Sequence, residues 1–294
     1  MPLTTAIIPV AGLGTRVLPA SKAIPKEMMP VVDKPVIQHV IEEAVAAGIT
    51  EIVLVTRSGK SSIEDHFGCH YELEAELARK GKNAILESVR NIVPNNVTIT
   101  AVRQHKALGL GHAILCGAAV IGDSDFAVLL PDMLVNNHAQ SATDLSTMVK
   151  AYQESGLGQI MVEPVPMEHV DRYGVVDCSG IDVQPGRSAN IAQMVEKPPI
   201  DEAPSNLTIN GRYILPARIM ELLKDTKPGA GGEIQLTDAM ADFLKEGTLQ
   251  AFHMQGKTYD CGNKAGYLQA NVIYGLQNPE TADSLKAFIK GLEL

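Results

Sequence analysis

The chain has 294 residues, 45% hydrophobic and 20% charged, enough for one large α/β domain or two small ones. A formal charge of −9, the lack of tryptophan and an aromatic content of 4% argue against nucleic acid and anionic membrane as partners. With no membrane-length apolar run, no leader-like start and four cysteines (Cys69, Cys116, Cys178, Cys261) lacking C-x-x-C spacing, a cytoplasmic protein with reduced thiols is expected.

Along the chain, an apolar strand over residues 5–10 runs into Ala11-Gly12-Leu13-Gly14-Thr15-Arg16. Two glycines after a strand leave backbone N–H groups bare, and Arg16 and Lys26 set cations beside them; phosphate groups need such a surface. No G-x-x-x-x-G-K-[ST] string occurs. The dinucleotide fingerprint is also broken, since Val17 stands where its third glycine belongs and Arg57 follows the second strand in place of an acid. By itself the loop also reads as a plain glycine turn with a solvated arginine. A helix follows over 36–48 and a strand over 51–56, and Ser61 with Glu64 offers a capping box for a short helix. His66, Cys69 and His70 have no second cluster to complete a metal site, and read as polar residues at a helix end. A helical stretch covers 71–91, then come a strand over 97–102, a helix over 111–121 and a strand over 126–130.

This βαβα order predicts a Rossmann-like, mostly parallel, doubly wound sheet with helices on both faces. Ligands of such sheets bind beyond the carboxyl ends of the strands, where Gly12, Gln104 and Asp132 all fall. The second half predicts a smaller β-extension, with strands over 159–164, 173–177, 191–195 and 207–215, loops over 184–189 and 198–205, and helices over 217–223, 235–246, 264–274 and beyond Pro279. No repeat breaks the chain, so a single domain over 1–294 is the preferred division. Asp132, closing the run Phe126-Ala127-Val128-Leu129-Leu130-Pro131-Asp132, reads as a metal ligand or as a turn residue. Asp260, in Tyr259-Asp260-Cys261-Gly262-Asn263, reads as a ligand or as the cap of the next helix.

The run Gly12-Leu13-Gly14-Thr15-Arg16 with Pro25-Lys26-Glu27-Met28-Met29-Pro30 and Val31-Val32-Asp33-Lys34-Pro35 resembles the opening of bacterial UTP–glucose-1-phosphate uridylyltransferases, also called UDP-glucose pyrophosphorylases. Further matches continue in order to the C-terminal region. The resemblance implies the nucleotide-diphospho-sugar transferase fold, with a nucleotide-binding part over about 1–135, a sugar-phosphate-binding part over about 136–262 and C-terminal helices over about 263–294. It implies that UTP and glucose 1-phosphate give UDP-glucose and pyrophosphate, through in-line attack of the sugar phosphate on the α-phosphorus. That reaction needs positioned charge and no Ser or Cys nucleophile.

Carried over residue by residue, Arg16 and Lys26 neutralise the triphosphate, while Ala11, Gly12, Gly14, Gln104 and Gly109 hold the nucleotide. Gln104 can both donate to and accept from an imide edge, and the small residues of Leu108-Gly109-Leu110-Gly111 would let the base approach main chain. The resemblance pairs Asp132 and Asp260 on Mg²⁺; Met133 removes a second carboxylate after Asp132. Gly174, in Tyr173-Gly174-Val175-Val176-Asp177, would face the hexose. Glu196 would accept from its hydroxyls and Lys197 bind its phosphate, the strand's alternation being interrupted by Pro198. Asn210 and Glu233 would support the site, Glu233 serving otherwise to open the next helix. A homo-oligomer, dimer or tetramer, built partly through the C-terminal helices is also implied. Two alternatives remain: a thymidylyl- or cytidylyltransferase of another sugar phosphate, and a UDP-sugar-binding regulator without catalysis.

Overall fold

The first strands carry Ile, Val and Leu on both faces, the composition of strands covered by helices on either side. In the computed structural model, which describes residues 2–292, ten strands build the main sheet. Along the chain they are β1 (Thr5–Pro9), β2 (Glu51–Thr56), β3 (Thr98–Arg103), β4 (Phe126–Leu129), β5 (Gly158–Pro164), β6 (Gly174–Asp177), β7 (Ser188–Asn190), β8 (Gln193–Glu196), β9 (Leu207–Leu215) and β10 (Leu249–His253). Their order is β7-β10-β5-β9-β4-β1-β2-β3, with β6 paired to β9 and β8 to β6. Strands β3, β2, β1 and β4 are parallel, and so are β5 and β10. Between these two groups β9 runs antiparallel to β4 and β5. The β6–β8 hairpin is the small extension expected in the second half.

Alternate residues of each strand serve opposite faces. On one face Ala6, Ile8, Ile52, Leu54, Ala127 and Leu129 pack with Ile37, Val40 and Ile41 of helix Val36–Ala46. On the other, Ile7, Val53, Val55, Phe126 and Val128 pack with Ile114 of helix Leu110–Cys116 and with Leu236 and Met240 of helix Leu236–Phe243. Each of the larger side chains contributes about 1.5–3 kcal/mol by leaving water. Apart from the main sheet, Met133–Asn136 and Lys257–Asp260 form an antiparallel ribbon that sets Asp260 opposite Met133. Arg212, fully buried on β9, donates to both Glu43 oxygens (3.0 and 2.7 Å) and to the carbonyls of Leu130 and Met133 (3.2 and 2.7 Å). It thereby ties the turn carrying Asp132 to helix Val36–Ala46. No helix among the described residues is long and apolar enough to cross a membrane.

The strands expected over 51–56 and 207–215 match in both bounds, and those over 5–10 and 126–130 within one residue. Departures have local causes. The capping box does not form: Ser61 is already inside helix Ser61–Phe67, Lys60 precedes it, and no side chain caps it. The stretch 71–91 splits into Tyr71–Arg79 and Asn83–Arg90 where Gly81 adopts φ +66°. The helix expected over 111–121 breaks at Gly117 into Leu110–Cys116 and Ala118–Ile121. The supposed loop 184–189 ends in β7, a polar edge strand on β10 whose composition carries no apolar signal. Residues 133–155 and 249–260, which the pattern leaves unassigned, hold helix Asp144–Ser155, β10 and the ribbon.

Candidate active site

Because β1, β3 and β4 are parallel, their carboxyl ends open on one rim. Beyond β1, Val10 N–H still donates to the Val55 carbonyl (2.9 Å). The next N–H groups, of Ala11, Gly12, Leu13 and Gly14, have no partner among the described residues. Gly14 turns the chain at φ +68°, and Ser21 Oγ donates to its carbonyl at 2.7 Å. A cleft of about 350 Å³ over this loop is walled on its other sides by Lys26, Gln104, Gly109, Asp132 and Glu233. Bare N–H dipoles beside a lysine form a seat for anionic oxygens.

Lys26 Nζ donates to Asp132 Oδ2 at 2.5 Å. Arg16 reaches Asp260 Oδ2 at 2.9 Å and lies 3.6 Å from Asp132 Oδ2. The ribbon brings the two aspartates together across 128 positions of sequence, Cys261 N–H donating to the Asp132 carbonyl (2.7 Å) and Gly262 N–H to Asp260 Oδ1 (2.8 Å). A Cβ on Gly262 would clash with Asp132 Oδ2 and lie 2.5 Å from Arg16 Nη2 and 2.8 Å from Asp260 Oδ1, so the cluster closes only over glycine. Burial alone would raise the Asp132 carboxyl, but Lys26 and Arg16 outweigh it and hold it below the ordinary carboxylate range. Asp260 does not cap the following helix; Asn263 does, accepting from Gly266 N–H at 2.8 Å. Burial next to both aspartates pushes the Cys261 thiol up to about 12, so it offers no thiolate. Two converging carboxylates are hard oxygen donors that suit a Mg²⁺-like ion, which completes its shell with water and phosphate oxygens.

Lys26 is itself held from below. Its neighbour Glu27 is fully buried and accepts from Lys60 Nζ at 2.9 and 2.8 Å, joining the turn Lys26–Met28 to the loop after β2. Burial pushes the Glu27 carboxyl up and the Lys60 amine down, so desolvation outweighs their attraction.

On the sheet extension, Glu196 of β8 stands opposite Gly174 of β6. Glu196 Oε2 accepts from Thr237 Oγ1 (2.7 Å) and Oε1 from Lys197 Nζ (3.0 Å). A Cβ on Gly174 would lie 3.1 Å from Glu196 Oε2 and 3.3 Å from Thr237 Oγ1. Lys197 takes φ +47°, so the left-handed turn that breaks strand alternation lies at the lysine itself, ahead of Pro198. Asn210 is buried on β9, its Nδ2 donating to Glu163 Oε1 at 2.5 Å while Oδ1 has no partner among the described residues.

A family model described as nucleotidyl transferase matches residues 5–275. The chain is 53% identical to the UTP–glucose-1-phosphate uridylyltransferase of Haemophilus influenzae, over 98% of each chain. It is 53% identical to that of Escherichia coli K12, over 97% of this chain and 94% of the other. It belongs to the UTP–glucose-1-phosphate uridylyltransferase family. A UTP-bound UGPase from Acinetobacter baumannii superposes with a TM-score of 0.93 at 50% identity, over 99% of this chain and 100% of that one. A UDP-glucose pyrophosphorylase complexed with UDP-glucose follows at 0.84 and 41%, over 94% and 100%.

The sheet of this chain gathers residues far apart in sequence. Arg16, Lys26, Asp132 and Asp260 meet in one ion-pair cluster, and Gly174, Glu196 and Lys197 in a second group. Gln104 differs from expectation: its Nε2 donates to the Gly109 carbonyl (3.2 Å) and contacts His112 Nδ1 (3.0 Å), which commits both amide hydrogens. The glycines of the Leu108-Gly109-Leu110-Gly111 run also serve the protein's own packing, while Gly109 lines the cleft. A Cβ at Gly109 or Gly111 would lie 2.8 Å from the Ile234 carbonyl, and Gly109 has φ +101°. Glu233 does not open the helix, which starts at Leu236; it lines the cleft beside Gly109. His66, Cys69 and His70 bond separately to Gln38, Glu74 and the Leu73 amide. Among the described residues no group of three or more potential metal ligands gathers. Thr237, His112 and Gly262 are the site residues that sequence reading passed over. Gly262 lies inside a motif it had singled out and His112 directly after one, but nothing in a string shows which residue faces another.

Proposed function

We propose that this chain makes UDP-glucose and pyrophosphate from UTP and glucose 1-phosphate. The observation that carries the reading is the convergence of Asp132, Asp260, Lys26 and Arg16 beside the bare amides of residues 11–14. The loop amides, with Lys26 and Arg16, bind the triphosphate. Gln104 meets the base. Gly174, Glu196 and Lys197 hold the sugar phosphate, with Asn210 and Glu233 as supporting residues. Asp132 and Asp260 would hold Mg²⁺, which when bound draws negative charge from the phosphates at the reacting centre. Lys26 and Arg16, which neutralise those carboxylates in this structure, would then be free to pair with the phosphate oxygens. The attacking sugar phosphate is already an anion, so the protein's part is alignment and charge neutralisation, and no side chain must take its proton.

The proposal extends to a single domain over 1–294, a cytoplasmic location, and a homo-oligomer formed through the C-terminal helices. Helix Lys264–Gln277 leaves Leu268 and Val272 exposed, and helix Ala282–Lys290 leaves Phe288 exposed. The test of function is pyrophosphate release from UTP with glucose 1-phosphate and Mg²⁺, with dTTP, CTP and galactose 1-phosphate in parallel. Release that needs both substrates and metal, and is fastest with UTP and glucose 1-phosphate, is the expected result. Faster release with dTTP or CTP would move the chain to a thymidylyl- or cytidylyltransferase. UDP-glucose binding without any release would make it a regulator.

A further inference from the structure

The Gln104 amide has two hydrogens, and the structure uses both. The Gly109 carbonyl can only accept, so the Gln104 atom 3.2 Å away must be the NH₂ group. The same nitrogen lies 3.0 Å from His112 Nδ1, so that ring nitrogen must accept, and the imidazole must be neutral with its proton on Nε2. Partial burial also pushes His112 below its ordinary value, toward the neutral form. The Cys116 thiol, one turn on, is 4.0 Å from Nδ1 and offers at most a weak further donor. Gln104 Oε1 is left without a partner among the described residues, on a side chain that lines the nucleotide cleft.

We propose that His112 is a specificity-determining positioning residue: with Gly109 it pins the Gln104 amide so that only a carbonyl oxygen is offered to the base. The inference rests on the uridylyltransferase reading. A lone acceptor favours an edge that presents an imide N–H, as N3 of uracil does. Cytosine presents a bare acceptor at that position and sets two lone pairs face to face. A freely rotating glutamine would serve either base, by turning its NH₂ or its oxygen outward.

Equilibrium binding of UTP and of CTP to the full-length protein tests this, with wild type, His112→Leu and His112→Asn compared. His112→Leu removes the acceptor and is expected to lower the UTP-to-CTP affinity ratio about tenfold, whereas His112→Asn, whose Oδ1 can stand near the place of Nδ1, is expected to keep it within about threefold. An unchanged ratio in His112→Leu, equal damage in His112→Asn, or a wild type without preference for UTP would overturn the proposal. A misfolded variant would lose both ligands together, so the ratio is read only where the melting temperature matches wild type. The ¹⁵N shifts of the wild-type His112 ring give a readout that needs no variant: an Nε2–H tautomer at neutral pH supports the proposal, and an Nδ1–H tautomer or an imidazolium sinks it. Turnover is measured separately. A wild type that prefers UTP in binding but forms no UDP-glucose would overturn the catalytic reading and leave the role of His112 standing.

Discussion

Lys197 shows how far a single residue can be read. The family resemblance marked it as the sugar-phosphate ligand, and its own backbone, at φ +47°, breaks the strand alternation and sets Nζ on Glu196. Removing one preorganised charge contact costs on the order of 10²–10³ in rate, so Lys197→Ala is expected to lose that much kcat while UTP affinity holds. Turnover near wild type would strike Lys197 from the mechanism. Gly262→Ala is expected to abolish Mg²⁺-dependent turnover while the fold survives, because the added methyl falls among Asp132, Asp260 and Arg16. Circular dichroism beside the pyrophosphate assay separates those two effects. Asp132 also carries a pH signature. Its carboxyl is held down in the fold, so it contributes stability above about pH 4, the unfolded carboxylate range, and loses it as pH falls through the folded value. Lys26→Met is expected to flatten that acid limb in melting curves between pH 6 and 3; an unaltered limb would mean the pair contributes nothing there.

At the scale of elements, β9 does most to join the two halves. It pairs with β4 on one side and β5 on the other, and it delivers Arg212 to the carbonyls flanking Asp132. Removing one partner of a buried pair strands the other charge. Glu43→Leu is therefore expected to cost about 3–5 kcal/mol in denaturant unfolding, and replacing Arg212 by Met as well should recover only part of it, since the Leu130 and Met133 carbonyls lose their donor. A Glu43→Leu loss below 1 kcal/mol, roughly the worth of a surface pair, would show that Arg212 finds other compensation. The segment 233–237 has a similar joining role. Ile234 N–H donates to the Leu108 carbonyl (2.7 Å), its own carbonyl accepts from Gly111 (2.9 Å), and three residues on Thr237 holds Glu196. Glu233 was visible in the string as a candidate, but the two-sided contact of this segment was not, since both partners are more than 35 residues away.

Over the whole molecule, the proposed oligomer would cover exposed apolar side chains of the last two helices. Leu268 and Phe288 are 64% and 63% exposed. Replacing both with Lys is expected to reduce the mass in solution to that of one chain, read by light scattering; a wild type already of that mass would remove the oligomer from the proposal. The sequence by itself determined the alternation of strands and helices, the glycine loop after β1 and the charged residues proposed for the site. Those depend on local periodicity, on residues that free or restrict the backbone, and on motifs contiguous enough to recognise. Tertiary structure alone decided that β9 reverses, that a ribbon sets Asp260 opposite Met133 and so beside Asp132, and that His112 and Gly109 use up the hydrogens of Gln104. Each is a contact across the fold, set by which strand ends share a rim and by which groups must satisfy their hydrogen bonds there, and neither is written in the order of neighbours along the chain.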